Sequence, residues 1–165
     1  GIPFTKKPVA LQFDYKVKMS DRENRIRATG FSKITDVPGK DYPAAILLLQ
    51  KRWEDANGNV YAKRIGTMVT YYYHSTDWKN NVTYEIMYGD ITNRPEYKAH
   101  MMRLQATESY TVNSKGESVP IHEVAWGDEN DVPTHMYIQF TSSHGGAYIG
   151  SPGNTLWVDN VKLVY

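Results

Sequence analysis

From Val9 to Met19 the chain alternates strictly, with Val9, Leu11, Phe13, Tyr15, Val17 and Met19 on one side and Gln12, Asp14, Lys16 and Lys18 on the other. This period of two predicts a half-buried antiparallel β-strand. Pro8 marks its start, where a missing N–H costs least. Ala44 to Trp53 is a continuous apolar run, followed by Asp55-Ala56-Asn57-Gly58-Asn59 and then by Val60 to Ile65. Asn57-Gly58 is a strong hairpin signal, so the two runs are read as paired strands. Gly66 to His74 continues with Met68, Thr70, Tyr72 and His74 on one side and Thr67, Val69, Tyr71 and Tyr73 on the other. Whichever side meets the core, the opposite one presents aromatic or imidazole groups. Ser75 to Asn81 reads as a turn holding Trp78, and Val82 to Tyr88 as a further strand.

The C-terminal stretch from Pro133 to Tyr165 has the pattern strand, glycine-rich loop, strand. His135 to Thr141 and Thr155 to Tyr165 are rich in β-formers, and Ser142 to Asn154 between them holds four glycines and a proline. In the last strand Trp157 is assigned to packing. Asp159, between Trp157 and Val161, is placed with them on the buried side, where a carboxylate must be hydrogen-bonded, paired or metal-bound. Hydrogen bonding is the first expectation for it and calcium the second.

Two regions lack this regularity. Asp21 to Tyr42 is a polar excursion broken by Gly30 and Pro38-Gly39, with a short strand near Ile26 to Ile34. Asp90 to Asp131 reads as an insertion: the spacing of Tyr97, Met101 and Leu104 suits a short helix within Pro95 to Glu108, Val119 to Trp126 a short strand, and Gly127 to Asp131 an acidic loop. The pattern therefore predicts one all-β domain over residues 1–165, a two-sheet antiparallel β-sandwich with a partly helical or irregular insertion at about 90–131.

Composition narrows the function. Nineteen basic against eighteen acidic residues leave a net charge of +1 without a basic cluster, so nucleic acid and anionic membranes are not expected partners. The chain has no cysteine, which removes disulfides, thiolate metal sites and cysteine nucleophiles. No apolar run approaches the roughly 18 residues of a membrane helix. Thirteen tyrosines and four tryptophans stand out, because an aromatic body with a polar tip suits surfaces that touch sugars or proteins.

Candidate chemistry follows from these residue types. No G-x-S-x-G elbow, phosphate loop or H-E-x-x-H pair is present, and His74, His100, His122, His135 and His144 show no metal spacing. Asp14, Glu85, Asp90 and Asp159 could supply paired carboxylates for glycoside hydrolysis, but a separation cannot be read from sequence. Sugar recognition needs flat aromatic faces beside planar polar groups on a rigid sheet or its loop edge. Trp53, Trp78, Trp126 and Tyr148 are the loop-edge candidates, with Tyr71 and Tyr73 on a strand face.

The segments Gly1–Lys18, Thr76–Tyr88 and above all Pro133–Tyr165 resemble the carbohydrate-metabolism domain family of gut Bacteroidetes. Its most specific part is Thr141-Ser142-Ser143, the loop glycines and Leu156-Trp157-Val158-Asp159-Asn160-Val161. The resemblance implies a jelly-roll, galactose-binding-like fold in a secreted, periplasmic or cell-surface protein of glycan utilisation, with a glycan or polysaccharide as partner. It also implies a strand ahead of Gly1, whose place at the sheet edge a neighbouring domain or partner chain could fill. The reading is a non-catalytic carbohydrate-binding module. A structural or adhesive cell-surface module and a jelly-roll glycoside hydrolase or lyase are the alternatives.

Overall fold

A computed structural model describes residues 1–30 and 33–165, and the described residues form strands and turns without a helix. The strands are β1 (Ile2–Pro3), β2 (Ala10–Lys18), β3 (Arg25–Ala28), β4 (Ile34–Val37), β5 (Ala44–Glu54), β6 (Val60–Tyr71) and β7 (Thr76–Glu85). They continue with β8 (Met87–Tyr88), β9 (Tyr110–Val112), β10 (Ser118–Trp126), β11 (His135–Thr141), β12 (Ile149–Gly150) and β13 (Thr155–Val164). A large sheet runs in the order β1-β11-β5-β6-β10-β9, with β8 beside β6, and three-stranded sheets run β13-β2-β7 and β12-β3-β4.

One core is shared by facing sides of the two main sheets. Leu11, Phe13 and Val17 of β2 meet Ala45, Leu47 and Leu49 of β5 and Ile65, Met68 and Tyr72 from β6 and its end. Phe13 packs edge-on to Phe140 of β11 at 5.0 Å, and Tyr15 meets Tyr72 at 4.6 Å. The alternation read in β2 thus places its apolar side in the core as expected, and the structure settles the side left open for Gly66–His74, with Val69, Tyr71 and Tyr73 on the other side of the large sheet. Val60–Ile65 and the continuation from Gly66 form one strand, with a bulge between them, since Leu49 pairs with Gly66 and Gln50 with Arg64. A Cβ at Gly66 would come within 3.0 Å of Ile86 and 3.1 Å of Leu49, so any larger residue here would have to push these two core side chains aside.

Several expectations are corrected. Trp78 lies on β7 rather than in a turn, because register shifts let Ser75–Asn81 pair with β2. The helix expected within Pro95–Glu108 is a run of separate i→i+3 turns, with N–H donated by Arg94 to Ile91, Tyr97 to Arg94 and Met101 to Lys98. Met101 and Met102 both pack on the cluster of Ile46, Leu48 and Val69. The region 90–131 is not wholly an insertion, for β10 belongs to the large sheet and pairs in parallel with β6. The sheets are therefore not purely antiparallel. The strand expected near Ile26–Ile34 is a hairpin of β3 and β4, with Phe31 and Ser32 outside the described residues.

The last strand has the opposite phase from that expected. Leu156, Val158 and Leu163 turn to the core, while Trp157 is 40% exposed beside Lys16 and Asp159 is exposed. A bulge after Asp159, with Asn160 at φ 52°, keeps Leu163 on the inner face. The buried carboxylate is Asp14. Its oxygens accept the backbone N–H of Asn81 at 2.6 Å and the side-chain amide of Asn160 at 2.6 Å, and both asparagines have positive φ in bulges flanking β2.

The Asn81 N–H, the Asn160 amide and the Lys162 charge hold the Asp14 carboxyl below its usual range. Stabilisation from such a group is complete above the unfolded value near 4 and is lost as pH falls through the folded value. Asp14→Asn is therefore expected to melt earlier than the native chain at pH 6 and to lose less further stability between about pH 4 and 2. Thermal melts across that window check this, and parallel acid limbs for the two proteins would contradict it.

Candidate functional site

The outer face of the large sheet carries three cross-strand rows: Thr141–Ala44–Tyr71, Gln139–Ile46–Val69 and Tyr137–Leu48–Thr67. The apolar middle, Ile46, Leu48 and Val69, is covered by Met101 and Met102. Ala44, between Thr141 and Tyr71, is also fully buried. At the Tyr71 end a cleft of about 650 Å³ opens between residues 99–109 on one side and 143–147 of the glycine-rich loop on the other. Ile46, Tyr71, Tyr137, Gln139, His100 and His144 are among its lining residues.

Five rings gather at this end. Tyr71 lies 4.7 Å from His100 and 4.8 Å from His144, Tyr42 stacks on His144 at 5.5 Å, and Tyr73 meets Tyr42 at 4.7 Å. Tyr71 and His100 also border a second cleft of about 370 Å³, whose lining includes Tyr73, Glu85, Arg94 and Lys98. The two clefts adjoin across the Tyr71–His100 pair. Burial, with Tyr73 and Asp41 nearby, pushes the Tyr71 hydroxyl up, and burial with the Lys98 charge lowers His100. Both side chains are uncharged at neutral pH, so the floor offers neutral faces and hydrogen-bonding edges.

Each wall hangs on a buried carboxylate. Asp41, with no exposed side-chain surface, accepts the backbone N–H of His144 at 3.1 Å and of Ser151 at 3.1 Å, and its carbonyl accepts the Asn154 amide at 3.1 Å. These bonds fasten the glycine-rich loop at three points. Nδ1 of His144 lies 3.0 Å from Asp41 Oδ1 and 3.0 Å from the Tyr42 nitrogen, so it donates to the carboxylate when protonated and accepts the Tyr42 N–H when not. The opposite wall is tied through the Gln105 N–H, which donates to Glu123 Oε2 at 2.7 Å.

Glu123 in turn centres a buried polar network. Arg64 donates through Nε to Oε1 at 2.7 Å and through Nη2 to Oε2, Gln50 donates to Oε1 at 2.6 Å, and Arg52 Nε reaches Gln50 at 2.8 Å. Arg64 and Glu123 have fully buried side chains.

Of the candidates read from sequence, Tyr71 and Tyr73 lie at the ring cluster and the others lie elsewhere. Trp53 stacks on Tyr61 at 5.9 Å, at the far end of the β5–β6 hairpin, roughly 30 Å along the strand from Tyr71 at about 3.3 Å per residue. Trp78 is on the other main sheet and 47% exposed. Trp126 is half-buried over the Arg64 guanidinium at 5.7 Å, a packing position rather than a free face. Tyr148, 73% exposed with φ 62°, borders a separate shallow hollow with Ile26 and Ala28. Asp159 accepts the N–H of the adjacent Asn160, and among the described residues no three histidine or carboxylate side chains gather in a group that could hold a metal ion.

Tyr42, His100, Tyr137, Gln139 and His144 complete the site without having been candidates. Tyr137 and Gln139 had a usable signal: they alternate with Met136, Ile138 and Phe140 on a strand and so share its outer face. His100 and His144 arrive on irregular segments, where no period announces a face. Comparison with protein families, curated proteins and solved structures finds no match for this chain.

Proposed function

We propose that this chain is a non-catalytic carbohydrate-binding module, built as a β-sandwich of the jelly-roll kind, that holds a glycan across the outer face of the large sheet. The observation that carries this reading is the cleft floored by Tyr71, Tyr137 and Gln139 and flanked by His100 and His144. Its aromatic faces suit the C–H patches of pyranose rings, and Gln139 and the imidazoles suit hydroxyls. The strands fix the floor in place, so little ordering accompanies binding. The continuation into the second cleft favours a chain of several sugars over a single terminal one. A place in an exported glycan-utilisation protein belongs to the same proposal.

Binding is favoured over hydrolysis by the carboxylate on the larger cleft's lining. Glu108 accepts the Thr107 N–H at 2.8 Å and pairs with Arg103 at 3.4 Å, whereas hydrolysis uses two carboxylates on opposite sides of one bond. Trp78 and Trp157, exposed on the other main sheet, favour a second reading in which that surface joins a neighbouring cell-surface domain.

A screen of the purified chain against plant, host and microbial glycans, with and without a calcium chelator, tests the proposal. Tyr71→Ala is expected to weaken any hit at least about tenfold. Some melting temperature should be lost, since Tyr71 packs on the Ile46, Leu48 and Val69 cluster, but the fold should hold because Tyr71 lies outside the main core. Unchanged affinity in Tyr71→Ala and His144→Ala would rule out this cleft, and silence on the whole screen would favour the structural reading.

A further inference from the structure

The polar network beneath the cleft carries an unbalanced charge. Arg52 and Arg64 contribute two guanidinium groups and Glu123 one carboxylate, and that carboxylate is saturated: Arg64 Nε and Gln50 occupy Oε1, Arg64 Nη2 and the Gln105 N–H occupy Oε2. Arg52 therefore reaches Glu123 only through Gln50, and its Nη1 is buried with no hydrogen-bond partner among the described residues. An unmade hydrogen bond on a buried cationic group is unfavourable, and a half-buried cation favours an anion beside it. Burial lowers the Arg52 guanidinium, with the Glu123 charge opposing that shift, and burial together with Arg52 lowers the neighbouring His135. Both effects mark a desolvated, positive corner.

This corner lines a cavity of about 230 Å³, bordered also by Leu48, Gln50, Tyr110 and Tyr137. Glu108, Ser109 and Tyr137 line both this cavity and the 650 Å³ cleft, so the two adjoin. Glu108 is committed to Arg103 and the Thr107 N–H, and does not neutralise Arg52 by any contact among the described residues.

We propose that the Arg52 cavity is a subsite for an oxyanion on the bound glycan, the carboxylate of a uronic acid or a sulfate ester. The inference rests on the glycan-binding reading and names its ligand class: acidic polysaccharides, with the charged substituent at the Arg52 end and neutral ring faces over Tyr137 and Tyr71. Nη1 is itself buried, so an oxyanion would meet the guanidinium through the part that lines the cavity; its planar edge matches a carboxylate or sulfate, and desolvation strengthens the pairing.

Titration calorimetry with trigalacturonate, its full methyl ester and a 6-sulfated galactotriose tests this in the native chain, Arg52→Gln and Tyr71→Ala. The acid or the sulfate ester is expected to bind at least tenfold tighter than the methyl ester, and Arg52→Gln to bring the charged and uncharged ligands within about twofold. The acid and sulfate arms identify which oxyanion fits. The Arg52 Nε–Hε resonance of the native chain should shift with the charged ligand and not with the ester, a readout independent of how Arg52→Gln folds. Equal binding of acid, sulfate and ester, all lost in Tyr71→Ala, would overturn the oxyanion subsite and leave the glycan cleft standing. A charge preference lost in Arg52→Gln but untouched by Tyr71→Ala would keep the subsite and remove the cleft. Binding of an acidic peptide at Arg52 in place of every sugar would overturn the inference by assigning the pocket to a protein.

Discussion

Glu123→Ala is expected to destabilise the chain by about 3–5 kcal/mol, the usual cost of leaving a buried charge without its partner. The substitution strands the Arg64 guanidinium, whose side chain has no exposed surface, and removes the acceptor of Gln50 and of the Gln105 N–H. Urea unfolding measures the loss directly, as a lower midpoint at similar slope. The double replacement Arg64→Met with Glu123→Leu should recover most of it, because a buried ion pair is seldom more stable than apolar groups of similar volume. A loss under about 1 kcal/mol in the single variant would mean that water reaches Arg64 and relieves it. The damage should also reach the cleft, since Gln105 ties down the wall that carries His100 and Arg103.

Asp41→Ala is the second large effect expected. It leaves the backbone N–H groups of His144 and Ser151 without their acceptor, at about 1–3 kcal/mol for each that stays buried. The loss is local, because the glycine-rich loop lies outside the main core and can swing into water. Hydrogen exchange of the His144 and Ser151 amides should accelerate much more than that of Leu47 or Leu49. Glycan affinity should fall with it, since the loop supplies His144 to the ring cluster. Asp41→Asn retains one carbonyl acceptor and is expected to fall between the two. Uniform acceleration across the β5 amides would show instead that Asp41 supports the whole fold.

What the sequence disclosed depends on where periodicity survives. In β2, β5 and β6 each side chain has one face and burial chooses it, so the strands, the Asn57-Gly58 hairpin and the grouping of Tyr71 with Tyr73 on one face were readable, while the choice of that face as the outer one came from the packing. The phase of β13 was not, because Trp157 and Val161 look like core while a bulge between them reverses what their spacing implies. Trp78 was assigned to a turn for a related reason, its strand being kept in register by shifts that no local composition signals. The walls escaped entirely: Asp41 bonds to Ser151 and His144 more than a hundred positions away, and nothing near Lys40-Asp41-Tyr42 marks that carboxylate as buried. Trp126, an aromatic beside a polar loop, lies over the Arg64 guanidinium, a contact between distant positions that local composition does not signal.

The parallel pairing of β10 with β6 has a consequence for rates. A parallel neighbour cannot form through a tight turn, so β10 reaches β6 only after the chain from Tyr72 to Glu117 has doubled back, whereas the β5–β6 hairpin closes over five residues, Asp55 to Asn59. Arg64 and Glu123 sit on the two strands of that non-local closure, so their ion pair is expected to form after the local hairpin contacts. Contacts absent from the transition state act on the unfolding rate and leave the folding rate almost unchanged. The buried pair is thus a brake on opening: in a chevron, Glu123→Ala should raise the unfolding limb and leave the folding limb where it was.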